Sequence, residues 1–195
     1  MKRFLICLLL FAALPVLAQE ETLLKGKIES GGFGAPVVKF TEIKDEFSVL
    51  VGGRGGWILN HTFAIGGGAY GLATESIEQG RTATGNPIYL TMGYGGLELE
   101  YIMNSDKLIH LNMLVLIGGG GVDEREKGGG YSDDFSGDVF FIFEPALNVE
   151  LNVTTFFRIC LGGSFRLISG ADFRDIQNGD LAGPAGALTL KFGKF

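Results

Sequence analysis

Residues 139–151 read Val139-Phe140-Phe141-Ile142-Phe143-Glu144-Pro145-Ala146-Leu147-Asn148-Val149-Glu150-Leu151. Val139, Phe141, Phe143, Leu147, Val149 and Leu151 share one parity, whereas Glu144, Asn148 and Glu150 share the other. Side chains of an extended strand alternate between its two faces, so this is a β-strand set between an apolar and a polar environment.

The same period recurs along the chain. Ile109, Leu111, Met113, Val115 and Ile117 alternate with His110 and Asn112; Phe157, Ile159, Leu161, Phe165 and Leu167 alternate with Arg158, Cys160, Ser164 and Arg166. Phe47, Val49, Val51, Trp57 and Leu59 oppose Ser48, Gly52, Arg54 and Gly56. In the 187–192 segment, Leu188, Leu190 and Phe192 oppose Thr189 and Lys191. In the 89–103 segment, Leu97, Leu99 and Tyr101 oppose Glu98 and Glu100, but Leu90, Met92 and Tyr94 lie on the polar parity. That switch predicts a bulge at Gly95-Gly96. The 25–40 and 62–74 segments are glycine-rich with mixed faces, which brings the expected total to about eight strands.

The connections alternate in length. Asn60-His61, Asn104-Ser105-Asp106 and Asn152-Val153-Thr154 are short, and asparagine tolerates the left-handed backbone of a tight turn. The 75–87, 123–138 and 170–183 connections are long and polar, with 41–46 a short exception. The two ends of the structure therefore differ. Trp57, Phe63, Tyr101, Phe156 and Phe192 all fall near the short-turn end.

The N-terminus has the form of a cleaved export signal over residues 1–18. Basic Lys2 and Arg3 precede an apolar run over 4–14, and Ala18 supplies a small residue for cleavage. The expected mature domain is 19–195. Cys7 leaves with the signal, so Cys160 has no intrachain partner. The chain has 195 residues, 46% of them hydrophobic, and its net charge of −6 without a basic run excludes a nucleic-acid footprint. Glycine contributes 32 residues, which suits the tight curvature and narrow interior of a small barrel.

A closed barrel removes sheet edges, and in a bilayer only helices and closed barrels satisfy every backbone group. The expected fold is therefore all-β: a closed antiparallel up-and-down transmembrane barrel with short periplasmic turns and longer extracellular loops. From Gly26 to Phe195 the chain resembles the small outer-membrane β-barrel families of Gram-negative bacteria, of the OmpA-barrel and OmpX-like type. The resemblance rests on the strand pattern, the Gly-Gly steps and the ending Leu188-Thr189-Leu190-Lys191-Phe192-Gly193-Lys194-Phe195. It implies a monomer located in the outer membrane, in contact with lipid and lipopolysaccharide. It also implies Phe192 and Phe195 as an assembly signal read by the barrel-assembly machinery, although the apolar parity through 188, 190 and 192 does not reach 195.

The minority face holds the best constellation: Arg54, Glu98, Glu100, His110, Asn112, Glu144, Asn148, Glu150, Arg158, Arg166 and Lys191. Across a narrow lumen four acids (Glu98, Glu100, Glu144, Glu150) face four bases (Arg54, Arg158, Arg166, Lys191). Buried charges demand partners. Counting up from the short turns sets Glu150 beside Arg158 and Glu100 near His110.

No catalytic group, cofactor or metal site is expected. His61 reads as a turn residue and His110 as a lumen hydrogen-bonder. Asp123, Glu124, Glu126, Asp133 and Asp134 read as a solvated acidic loop, and the glycine runs at 118–121 and 128–130 lack the lysine and helix of a phosphate loop. The expected function is a non-catalytic membrane anchor or scaffold with a plugged lumen, its surface loops open to an unknown extracellular ligand. The alternatives are a narrow channel and a soluble, lipocalin-like ligand barrel with its apolar face inward.

Overall fold

The computed structural model describes residues 29–74, 77–81, 85–126 and 137–195. The 1–18 signal, Lys25 to Lys27, Lys127, the 128–130 glycines and Asp133-Asp134 lie outside the described residues. The elements are β1 (Ser30–Ile43), β2 (Glu46–Leu59), β3 (Phe63–Leu72), β4 (Glu78–Arg81), β5 (Pro87–Met103), β6 (Ile109–Glu126), β7 (Asp138–Asn152), β8 (Phe157–Ser169), β9 (Asp172–Phe173), β10 (Ile176–Gln177), a single helical turn α1 (Asn178–Leu181) and β11 (Gly183–Lys194).

Eight long strands pair antiparallel with their neighbours, and β11 closes onto β1 as β3 does onto β5. Stepping from partner to partner, Gly31 leads through Ile58, Ala64, Glu100, Leu114, Ala146, Ser164 and Ala185 to Thr41. The path returns to β1 ten residues higher (41 − 31), and this stagger inclines the strands and fixes the bore. At the short-turn end, Asn60, His61 and Asn104 take positive φ values of 49°, 55° and 54°. Asn152 ends β7 in ordinary geometry, and its amide donates to the Ser105 and Lys107 carbonyls, tying two turns together. At the other end, the β1–β2 hairpin turns through Lys44 and Asp45, with φ 52° and 60°.

The facing of the side chains reverses that of a ligand barrel. Leu97, Leu99, Leu111, Met113, Leu147, Val149 and Leu161 are exposed on the outer wall, whereas Glu98, Glu100, Glu144, Glu150, Arg166 and Lys191 are buried inside. The lipocalin-like alternative needs the opposite arrangement. The outer band ends at exposed Trp57, Phe63, Tyr101, Phe156 and Phe192, with the Phe63 ring tilted against Tyr101 and Phe192 stacked on Phe157.

Two expectations are corrected by the strands themselves. There is no bulge at Gly95-Gly96, since the β5–β6 register runs unbroken from Ile88↔Glu126 to Met103↔Leu111. Leu90, Met92 and Tyr94 share the inner face with Glu98 and Glu100 because the interior changes chemistry with height, charged below and apolar above. The long connections are also not simply solvated. β4 pairs with β5 and extends that hairpin, and the 170–183 connection folds back over the barrel mouth, burying Ala171, Phe173, Ile176 and Leu181.

Candidate functional site

The interior charges lie on six of the eight long strands because each sits on an inward parity that pleating fixes. All nine residues expected to form the lumen network (Arg54, Glu98, Glu100, His110, Glu144, Glu150, Arg158, Arg166, Lys191) are buried. Arg54 bridges two neighbouring acids on β5, with Nε 2.6 Å from Glu98 Oε2 and a terminal nitrogen 2.7 Å from Glu100 Oε2. Lys191 continues the chain, donating to Glu100 and, at 2.6 Å, to Glu150. Arg158 completes it at 2.9 Å from Glu150 Oε1.

Glu150 gathers the most partners. Besides the two cations, Asn112 donates to it at 2.7 Å, Cys160 Sγ lies at 3.2 Å, and His110 Nε2 lies 3.4 Å away. Asn148 in turn donates to Asn112, and Tyr70 donates its hydroxyl to Glu98 at 2.6 Å. The result is one hydrogen-bonded chain across the barrel from β3 to β8.

A second cluster lies beside it. Lys39 donates to Glu144 at 2.8 Å and to the Tyr94 hydroxyl at 3.1 Å, while Tyr94 and Ser164 both donate to Glu144. The Lys39 ammonium also sits 3.6 Å from the centre of the Tyr70 ring. Between the clusters is a cavity of about 20 Å³, room for about one water molecule, lined by Lys39, Arg54, Glu98 and Glu144 together with Val37 and Leu116.

Lys39, Tyr70 and Tyr94 were not among the expected residues. β1 carries apolar or small residues on both parities around Lys39, so alternation gave no sign of its direction. Two expected contacts are replaced. Glu100 faces Leu114 across the β5–β6 pair and bonds Arg54 and Lys191, while His110 lies opposite Glu150 on β7. Among the described residues Arg166 pairs with no acid: its Nε donates to the Leu181 carbonyl at 2.6 Å. The fourth base of the ion-paired set is Lys39.

The two aromatic residues near the C-terminus part ways. Phe192 points outward, but Phe195 packs inward against Phe33, Ala35, Ile58 and Ala64, with the Arg158 guanidinium 4.0 Å from its ring centre. It lines a cleft of about 490 Å³ at the short-turn end, with His61, Asp106, Asn152 and Thr154 on the rim. His61 itself is exposed, 2.8 Å from Glu29. Glu124, at the opposite end, pairs with Arg174. Gly118 to Gly121 lie within β6 rather than in a phosphate-binding loop.

No protein-family model matches the chain, and no curated protein matches it in sequence. Solved structures do match. Neisserial surface protein A superposes with a TM-score of 0.59 at 10% identity, over 87% of this chain and 100% of that one. The fold is that of the small outer-membrane β-barrels. The N-terminal β-barrel domain of Pseudomonas aeruginosa OprF matches with a TM-score of 0.54 at 10% identity, over 86% of this chain and 99% of that domain. Both likenesses cover more than four-fifths of this chain and, at such low identity, speak to the fold alone.

Proposed function

We propose that the chain is an integral outer-membrane protein without catalytic activity, an anchor or scaffold whose lumen is closed by paired charges. The observation that carries this reading is the pairing of opposites. The wall is apolar where lipid would touch it, and four acids meet four bases where a pore would otherwise run. With side chains filling an eight-stranded bore, the described interior has room for one water between the clusters and no wider passage there.

In this reading the short turns face the periplasm, the β4 hairpin and the 170–183 connection face outward, and the partners of the wall are lipid and lipopolysaccharide. Export through the 1–18 signal and insertion by the barrel-assembly machinery complete the route, and an extracellular ligand would meet the loops.

The test joins two measurements on the full chain. Fractionation should place it in the outer membrane as a form whose gel mobility changes on boiling, and planar bilayers should show no steady single-channel conductance. Recovery as a soluble protein overturns the membrane reading. A large steady conductance overturns the closed lumen and favours the channel.

A further inference from the structure

Above the ion-pair layer the interior is apolar, and the 170–183 connection lies in it. Phe173, Ile176 and Leu181 are buried there among Ile43, Leu90 and Ile142. This connection is not woven into the barrel. Its strands β9 and β10 pair only with each other, as a separate two-stranded sheet. Among the described residues, one backbone–backbone bond reaches the rim, from Lys44 N–H to the Asp180 carbonyl, and Asp172 N–H donates to the Asp138 carboxylate. The ion pairs Lys44–Asp175 and Arg174–Glu124 are solvent-facing on at least one side and hold weakly. Lifting residues 170–182 breaks no bond of the eight-stranded ladder, which resumes at Gly183.

Arg166 lies beneath the segment, fully buried at 0% exposure. Nε donates to the Leu181 carbonyl, one terminal nitrogen lies 3.4 Å from the Thr41 hydroxyl, and the other has no hydrogen-bond partner among the described residues. The interior acids are committed elsewhere: Glu144 to Lys39, Glu98 to Arg54, Glu100 to Arg54 and Lys191, Glu150 to Lys191 and Arg158. A buried cation without a counter-charge is costly, and an unsatisfied buried donor marks a missing acceptor. The segment supplies only a partial substitute. One of its carbonyls stands where an anion would, and three of its apolar side chains fill the space above.

We propose that the 170–183 segment is a displaceable lid, and that the space its side chains vacate binds an anionic single-chain amphiphile. The acidic head would take the Arg166 guanidinium, and the chain would replace Phe173, Ile176 and Leu181. The site is independent of where the barrel resides, because every group in it belongs to the folded chain.

The test uses full-length protein in an uncharged detergent, with radiolabelled palmitate as probe and hexadecanol and acetate as controls. Binding is read by co-elution with the folded barrel. Arg166→Leu should weaken palmitate binding by about tenfold or more while leaving hexadecanol within about twofold, since only the head loses its partner. The lid variant Phe173→Ser/Ile176→Ser should bind palmitate several-fold tighter than the unmodified chain, because a closed fraction no longer competes. Arg174 is already exposed on the folded segment, and palmitate should quicken tryptic cleavage after it by freeing the backbone around it. The proposal fails if neither the unmodified chain nor the lid variant binds palmitate, or if Arg166→Leu binds it equally. It fails too if acetate binds as tightly as palmitate, or if loosening the lid changes nothing. Gel mobility before and after boiling confirms that each variant is folded, so failure of the site and failure of the barrel are read separately.

Discussion

Lys39 Nζ lies 2.8 Å from Glu144 Oε1, joining β1 to β7 across the lumen between residues 105 positions apart. Neither forms an ion pair with a member of the larger charge chain, which Lys39 touches only through the Tyr70 ring, so this pair can be changed while the other ion pairs keep their partners. Removing one member strands the other charge in the interior, at a typical cost of about 3–5 kcal/mol. Lys39→Met should therefore lower the urea stability of the folded barrel by about that amount, and Glu144→Gln in the same molecule should restore much of it. Additive losses from the two changes would show that the contact carries no coupling.

Much of this architecture was legible in the residues. Outer faces such as Leu147-Val149-Leu151 announce strands with an apolar outer wall, and the inward acids and arginines announce themselves by sharing a parity against them. What hid was whatever broke the contrast. Lys39 sits on a strand whose two faces are both apolar, and Tyr94 seemed to change sides because the interior itself turns apolar above it. The Glu100–His110 pairing failed for a geometric reason. β6 begins at Ile109, two residues before the Leu111 that meets the last β5 pair, so equal counts from the turn are not equal heights. Arg166 could not be separated from the ion-paired bases by pattern, since its partner is a carbonyl of a connection that reads as polar loop.

Phe195 faces the interior, so its role should differ from that of Phe192. Phe195→Ala removes a ring packed under Arg158 and against Phe33 and Ile58, a half-buried truncation worth about 1–3 kcal/mol of folded-state stability. Phe192→Ala removes an exposed ring and should instead reduce the yield of inserted barrel. The checks are urea unfolding in detergent and the fraction of heat-modifiable protein in membranes. The opposite pattern would make Phe195 the assembly signal.

The lid tether should respond to acid. The Lys44 ammonium, hydrogen-bonded to Asp175 at 2.8 Å, holds that exposed carboxyl below its ordinary value. A depressed folded-state value means the contact helps above the usual carboxylate range, near about pH 4, and that help fades as pH falls through the lowered value. Amide exchange at Ile176 and Gln177, corrected for intrinsic rates, should therefore accelerate below about pH 4. Asp175→Asn should show the faster exchange at neutral pH and lose the acid step at this site. An acid step of unchanged size in Asp175→Asn would assign it to another group.

The glycines should divide by the face they occupy. A Cβ on Gly66, which points inward on β3, would lie 1.9 Å from the Gly55 carbonyl oxygen of β2, whereas a Cβ on outward Gly34 meets nothing within 4 Å. The first contact involves backbone on both sides, so it cannot be relieved by turning a side chain. The strands coil tightly enough here that the inner pleat has no space for a methyl group. Gly66→Ala should consequently cost several kcal/mol or prevent closure of the barrel, as overpacking between fixed backbones does, while Gly34→Ala should be neutral or slightly stabilising because alanine restricts the unfolded chain. Heat-modifiability and urea midpoints of the two variants, measured side by side, decide it. Equal tolerance at both positions would mean that the inner glycines are not set by strand approach and that β2 and β3 can part without loss.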